Sequence, residues 1–132
     1  MTLRLSLLAI ALAVLAASTG AGPGWAHHSF AMYDPAKLIK VNATVKAFEW
    51  TNPHAVLIVV TGPDPGQTPE EWSIELPTSP GNLTRLGWTK HSLKPGDHIL
   101  LEFNPLRDGA KGGSFKRATV QAGGQVLIVN LR

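Results

Sequence analysis

Residues 79–87 read SPGNLTRLG, and their conformation decides the fold. Ser79 is a residue type that caps a helix by offering its hydroxyl to an orphan backbone N–H. Pro80 suits the first helical position, where a missing N–H costs nothing. Leu83 and Leu86 sit three apart on one helical face, and Gly87 stops the segment because it takes a left-handed backbone without a Cβ clash. The stretch therefore predicts a short helix of about two turns.

Everything around this helix has the period of β-strands. Upstream, Val41, Ala43, Val45 and Ala47 are apolar and alternate with Asn42, Thr44 and Lys46, as in a half-buried strand. The alternation slips by one at Phe48, where Phe48 and Trp50 take over the apolar role, and such a slip predicts a bulge. Thr51-Asn52-Pro53-His54 is a tight turn. Ala55 to Val60 is apolar on both faces and reads as a central strand. Gly62 to Glu70 is a Pro- and Gly-rich loop, and Trp72, Ile74 and Leu76 mark a third strand. Downstream, Lys94-Pro95-Gly96-Asp97 places Pro and Gly at the centre of a type II turn. Ile99, Leu101 and Phe103 define a fourth strand and Asp108 to Gly113 a glycine-rich loop. Phe115 to Gln121 is a fifth strand and, after Gly123-Gly124, Val126 to Val129 a sixth. This order predicts a mostly β fold: a small OB-like barrel of five or six strands with one short helix between strands 3 and 4. A β-sandwich with an incidental helix is the alternative.

The N-terminus has a different character. Met1 to Arg4 is a short positive region and Leu5 to Ala17 an apolar run too short to span a membrane. Ser18 to Ala26 is rich in small residues and ends in Gly24-Trp25-Ala26. These three parts predict a secretory signal peptide over residues 1–26, cleaved after Ala26, with Ala21 as the weaker site. The mature chain is then a single domain, residues 27–132, in the periplasm or secreted, with no membrane attachment after cleavage.

The 132-residue chain has no cysteine and a net charge of +3, so disulfide staples and thiol chemistry are excluded. The basic residues from Lys111 to Arg117 are spread through a glycine loop, so no nucleic-acid partner is expected. There is no phosphate loop, dinucleotide fingerprint or nucleophile elbow around Ser29. Glu49, Glu75 and Glu102 lie at polar strand positions and read as solvated faces. Asp34 and Asp97 sit beside turns, where Asp bonds locally.

Three segments, AHHSFAMYD (26–34), FEWTNPH (48–54) and LTRLGWTKHSLKPGD (83–97), occur together. The combination resembles a family of small exported proteins, mostly proteobacterial, classed as a domain of unknown function. The resemblance implies export and small size and assigns no catalytic residue.

The chemistry on offer is imidazole, from His27, His28, His54, His91 and His98. His98 alternates with Ile99 and faces outward. Cleavage after Ala26 would give His27 a free α-amine, and that amine with a ring nitrogen can chelate one metal. One further imidazole completes a planar nitrogen set suited to Cu(II). His54 is the first candidate for it, then His28 or His91. Met32 reads as packing. Trp50 is expected to line a pocket beside His54, Trp72 to share the apolar face of its strand, and Trp88 to plug one barrel end. Two functions stay open: a non-catalytic binding domain for a small ligand, metal or periplasmic protein, and a copper-binding protein using His27. Mass spectrometry of the periplasmic protein is expected to show a chain of about 106 residues starting at His27. A mature chain retaining Leu5 to Ala17 would defeat the export assignment.

Overall fold

A computed structural model describes residues 30–62 and 65–129. The predicted signal segment, His27 and His28 lie outside the described residues. A single 3-10 turn, Phe30–Met32, leads into six strands: β1 (Ile39–Glu49), β2 (Val56–Thr61), β3 (Glu70–Glu75), β4 (His98–Pro105), β5 (Gly112–Val120) and β6 (Val126–Ile128). One helix, α1 (Pro80–Arg85), falls between β3 and β4. β1 pairs antiparallel with β2 and β4, β2 with β3, and β4 with β5. β3 then pairs parallel with β5 and closes a five-stranded barrel of the OB type, while β6 lies outside against β5.

The local signals around α1 act as the sequence predicts. The Ser79 hydroxyl accepts from the Asn82 N–H at 3.4 Å. Past the helix, Gly87 has φ of +87°. The Gly87 N–H donates to Thr84 O and the Trp88 N–H to Leu83 O, each at 3.0 Å, which is a Schellman ending. The same logic holds at 94–97, where Gly96 has φ of +92° and the Asp97 N–H donates to Lys94 O at 3.0 Å.

Inward side chains alternate along each strand. Leu57, Val59, Ile74, Leu101, Phe103 and Phe115 are fully buried, and each contributes on the order of 1.5–3 kcal/mol by leaving water. β2 departs from expectation. Leu57, Val59 and Thr61 are buried while Val56, Ile58 and Val60 are half-buried, because a barrel strand has one interior face. The β1 irregularity lies between Val45 and Ala47, slightly before Phe48. Lys46 is the extra residue, and Phe48 returns to pair with Leu57. Trp88 is buried as a plug, edge-on to Phe115 at 5.5 Å, and its Nε1 donates to Ile128 O at 3.1 Å.

The larger departure is at Gly112-Gly113, read from the sequence as loop. These two glycines open β5 and carry the closing contact, pairing with Ser73 and Ile74. A Cβ on Gly113 would lie 2.7 Å from the Asn104 backbone oxygen and run into the Phe103 ring. One on Gly112 would meet the Leu106 side chain at 2.7 Å. The Gly113 clash lies on the β4 side, and toward β3 a Cβ on Gly112 would lie 3.2 Å from Ser73 O, so the strand runs close to both neighbours at its start.

No helix among the described residues is long and apolar enough to cross a membrane. Gly113→Ala is expected to destabilise the protein by about 1–3 kcal/mol or more through overpacking. Gly81→Ala, whose Cβ would have nothing nearer than the Ser79 hydroxyl at 3.9 Å, is expected to be neutral or to stabilise by up to ~1 kcal/mol. Urea unfolding of both variants checks the contrast, and equal effects would remove the role given to Gly113.

Candidate functional site

The side chains of greatest chemical interest meet where three separate elements converge. Glu75 is the last residue of β3, and strand alternation turns it outward between Ile74 and Leu76, both buried. His54 ends the turn between β1 and β2, which contains a cis Asn52–Pro53 bond. The Thr51 hydroxyl donates to His54 O at 3.1 Å. One further ladder bond, Leu76 N–H to Ala55 O at 2.9 Å, keeps this turn beside the end of β3.

The third element is the lead-in. Tyr33 bridges to Leu106, the Asp34 N–H donates to Pro105 O and the Arg107 N–H to Met32 O, both at 2.9 Å. The Arg107 Nε adds a bond to Ala31 O at 3.0 Å. Backbone pairing thus fixes the lead-in against the β4–β5 connection and delivers the buried Tyr33 ring to Glu75.

Glu75 joins the other two. Its Oε2 accepts from the Tyr33 hydroxyl at 2.5 Å, and its Oε1 is in direct contact with His54 Nδ1. An ionised carboxylate only accepts, so in the neutral imidazole this contact places the proton on Nδ1 and leaves the lone pair on Nε2. His54 and Glu75 keep 25% and 23% of their side-chain surface exposed, so the pair is sheltered yet reachable. Phe30, itself 54% exposed, places its ring 6.3 Å from the imidazole. The phenol of Tyr33 is pushed well above the ordinary tyrosine range, first by burial, then by its hydrogen bond to Glu75 and by the charge of Glu75. Tyr33 is therefore a fixed donor and is no general base near neutrality.

Of the predicted ligands, His54 and His91 fall within the described residues. His27 and His28 lie outside the described residues. His91 stands exposed in the α1–β4 connection, its N–H bonded to the Thr89 hydroxyl at 3.1 Å. His98 is exposed at the start of β4, with Nδ1 3.1 Å from the Thr44 hydroxyl. Among the described residues no three His, Cys, Asp or Glu side chains converge to hold a metal. The aromatic neighbour of His54 is Phe30, whereas Trp50 packs edge-on to Phe48 at 5.6 Å. Trp72 faces Phe103 at 5.2 Å and carries Lys111 over its ring at 4.9 Å. Lys111 also pairs with Glu70 at 2.9 Å and holds that carboxyl below its usual range.

Sequence reasoning missed Glu75 and Tyr33. Alternation shows that Glu75 points outward but cannot show that the lead-in covers it from 42 positions away. The only available signal was Tyr33 itself, the sole tyrosine of the chain.

A family model described as a family of unknown function (DUF6152) matches residues 13–116. No curated protein and no solved structure matches the chain.

Because Tyr33 is the sole tyrosine, the phenolate absorbance band of the folded protein reports it alone. Its ionisation is expected above about pH 10, the ordinary value. Glu75→Gln is expected to bring it part of the way back, since burial remains. The unfolded chain loses this proton first. The stability from the raised pKa is thus complete below about pH 10 and falls as pH rises towards the folded-state value. An unshifted phenol would mean that Tyr33 is not held by Glu75.

Proposed function

Since the chain belongs to this family of unknown function, we propose from its site that it is an exported, non-catalytic binding domain with its recognition end at His54. The observation that carries the reading is the commitment of His54 Nδ1 to Glu75, which fixes the ring and leaves Nε2 as its uncommitted nitrogen while a quarter of the side chain stays exposed. A group that must move protons gains little from a tyrosine locked in its protonated form. A group that must hold a ligand gains from a ring that does not turn. Export is supported by the three-part pattern of residues 1–26.

A second reading, that the ligand is copper, is favoured by a specific feature. Metal-binding histidines commonly give their other ring nitrogen to a carboxylate, which fixes the tautomer and raises basicity, and His54 has that partner. Phe30, which packs on His54, follows His27 by only three positions. With Ala26 removed, the α-amine and ring of His27 would supply two nitrogens and His54 a third, a set suited to Cu(II). His28 and His91 are the reserve donors.

Protein beginning at His27 is expected to bind Cu(II) more tightly than protein carrying one extra N-terminal Met, because the added residue breaks the amine–imidazole chelate. His54→Ala is expected to weaken binding as well, and acidification to weaken it in every form through proton competition. Calorimetric titration of the three proteins checks this. Equal affinities would move any bound metal to ordinary surface histidines and leave the binding-domain reading with another ligand.

A further inference from the structure

A groove of about 900 Å³ runs along the outside of the barrel between the lead-in and β6. Leu38, Pro35 and Pro77 form one part of its lining, and Ile128 and Val129 another. Leu38 is 58% exposed and Ile128 39%, so two large aliphatic side chains face water within one concavity. Its volume lies in the range of small-ligand sites, roughly 300–1,000 Å³.

The polar lining has a definite sign. Glu102 is already paired with Lys40 at 3.1 Å. The Asn104 amide donates to Lys37 O at 2.6 Å. Lys116 and Arg117 also line the groove, are exposed, and have no ion-pair partner among the described residues. Their shared position has a structural cause. β4 pairs Glu102 with Arg117 and Phe103 with Phe115, so Lys116 is the extra residue of a bulge. In a regular strand one of two successive side chains would turn inward, whereas the bulge sends both out.

We propose that this groove binds a free small carboxylate with an apolar chain, its chain against Leu38 and Ile128 and its head between Lys116 and Arg117. The planar guanidinium accommodates a carboxylate through two parallel N–H bonds, and the lysine adds a point charge. The site is separate from the imidazole of His54 and goes beyond the binding reading above by naming a ligand class. Two cations beside an aliphatic wall suit one anionic head on an apolar body. A polyanion would need a longer cationic track.

The test is calorimetric titration of the mature protein with decanoate below its micelle concentration, with decanol and acetate as partial ligands. Decanoate is expected to bind at least about tenfold more tightly than either. The Lys116→Gln/Arg117→Gln double variant is expected to lose at least about tenfold in decanoate affinity with its weak decanol binding unchanged. Leu38→Ser is expected to weaken decanoate and decanol alike. These side chains are exposed, so the variants should unfold at the wild-type midpoint. His54→Ala is expected to leave decanoate affinity intact, which separates this site from the His54 site. The proposal is overturned if decanoate binds no better than decanol, if the double variant binds it equally well, or if His54→Ala abolishes binding. Tighter binding to an acidic peptide or to phosphatidylglycerol vesicles, with the same dependence on Lys116 and Arg117, would also overturn it by making the occupant a macromolecule or a membrane surface.

Discussion

Closure of the barrel depends on the parallel pairing of β3 with β5, which starts at two glycines. β3 and β5 run parallel for three paired positions, Ser73 to Glu75 against Gly112 to Ser114. At Gly113 the space a Cβ needs is filled by the Phe103 ring and the Asn104 carbonyl. Without the β3–β5 rungs β3 would be an open edge and β5 would keep only β4 and β6 as neighbours. The same three rungs set Glu75 opposite Ser114, so closure also determines where the carboxylate of the candidate site emerges.

From that position Glu75 organises its surroundings by having two oxygens and two donors to satisfy. Tyr33 comes from the lead-in and His54 from the first hairpin turn. These segments have no strand pairing with each other, and the carboxylate bridges them. Hydrogen bonds to an ionised acceptor contribute roughly 1.5–3 kcal/mol each, a useful share of a small domain's net stability. Shelter strengthens the arrangement, because half-buried charges lose less to solvent screening than exposed ones. The surface pairs Lys46–Glu71 and Lys111–Glu70 belong to the weaker class.

Legibility in the sequence followed the range of the interactions. The helix at Pro80, its Gly87 stop and the turn at Pro95-Gly96 are settled within four or five residues, and local chemistry dictates them. The order of these signals sufficed for an OB-like barrel. The β1 bulge was visible as a slip in period, though pairing places the extra residue at Lys46. Gly112-Gly113 reads as loop because glycine signals a loop and a close approach equally well, and only the distant Ser73, Phe103 and Asn104 distinguish them. Glu75 was misread for a related reason: an outward strand position is solvated unless something covers it. His54 is legible as a turn imidazole, and its partnership with Glu75 is not.

The lead-in has a consequence for how the chain assembles. Residues 30–34 come early in synthesis, yet their anchors are Glu75, Pro105, Leu106 and Arg107. Until those residues follow, Tyr33 has no carboxylate to donate to and Met32 no arginine N–H to accept. Contacts of such sequence separation form late, because a long loop must close before they yield anything. The barrel can pair β1 with β2 and then β3 as each emerges, but the segment that completes the His54 site must wait for the end of β4. The earliest part of the described chain thus acquires a fixed place only after β1 to β4 have been made, and the imidazole gains its neighbour Phe30 only then.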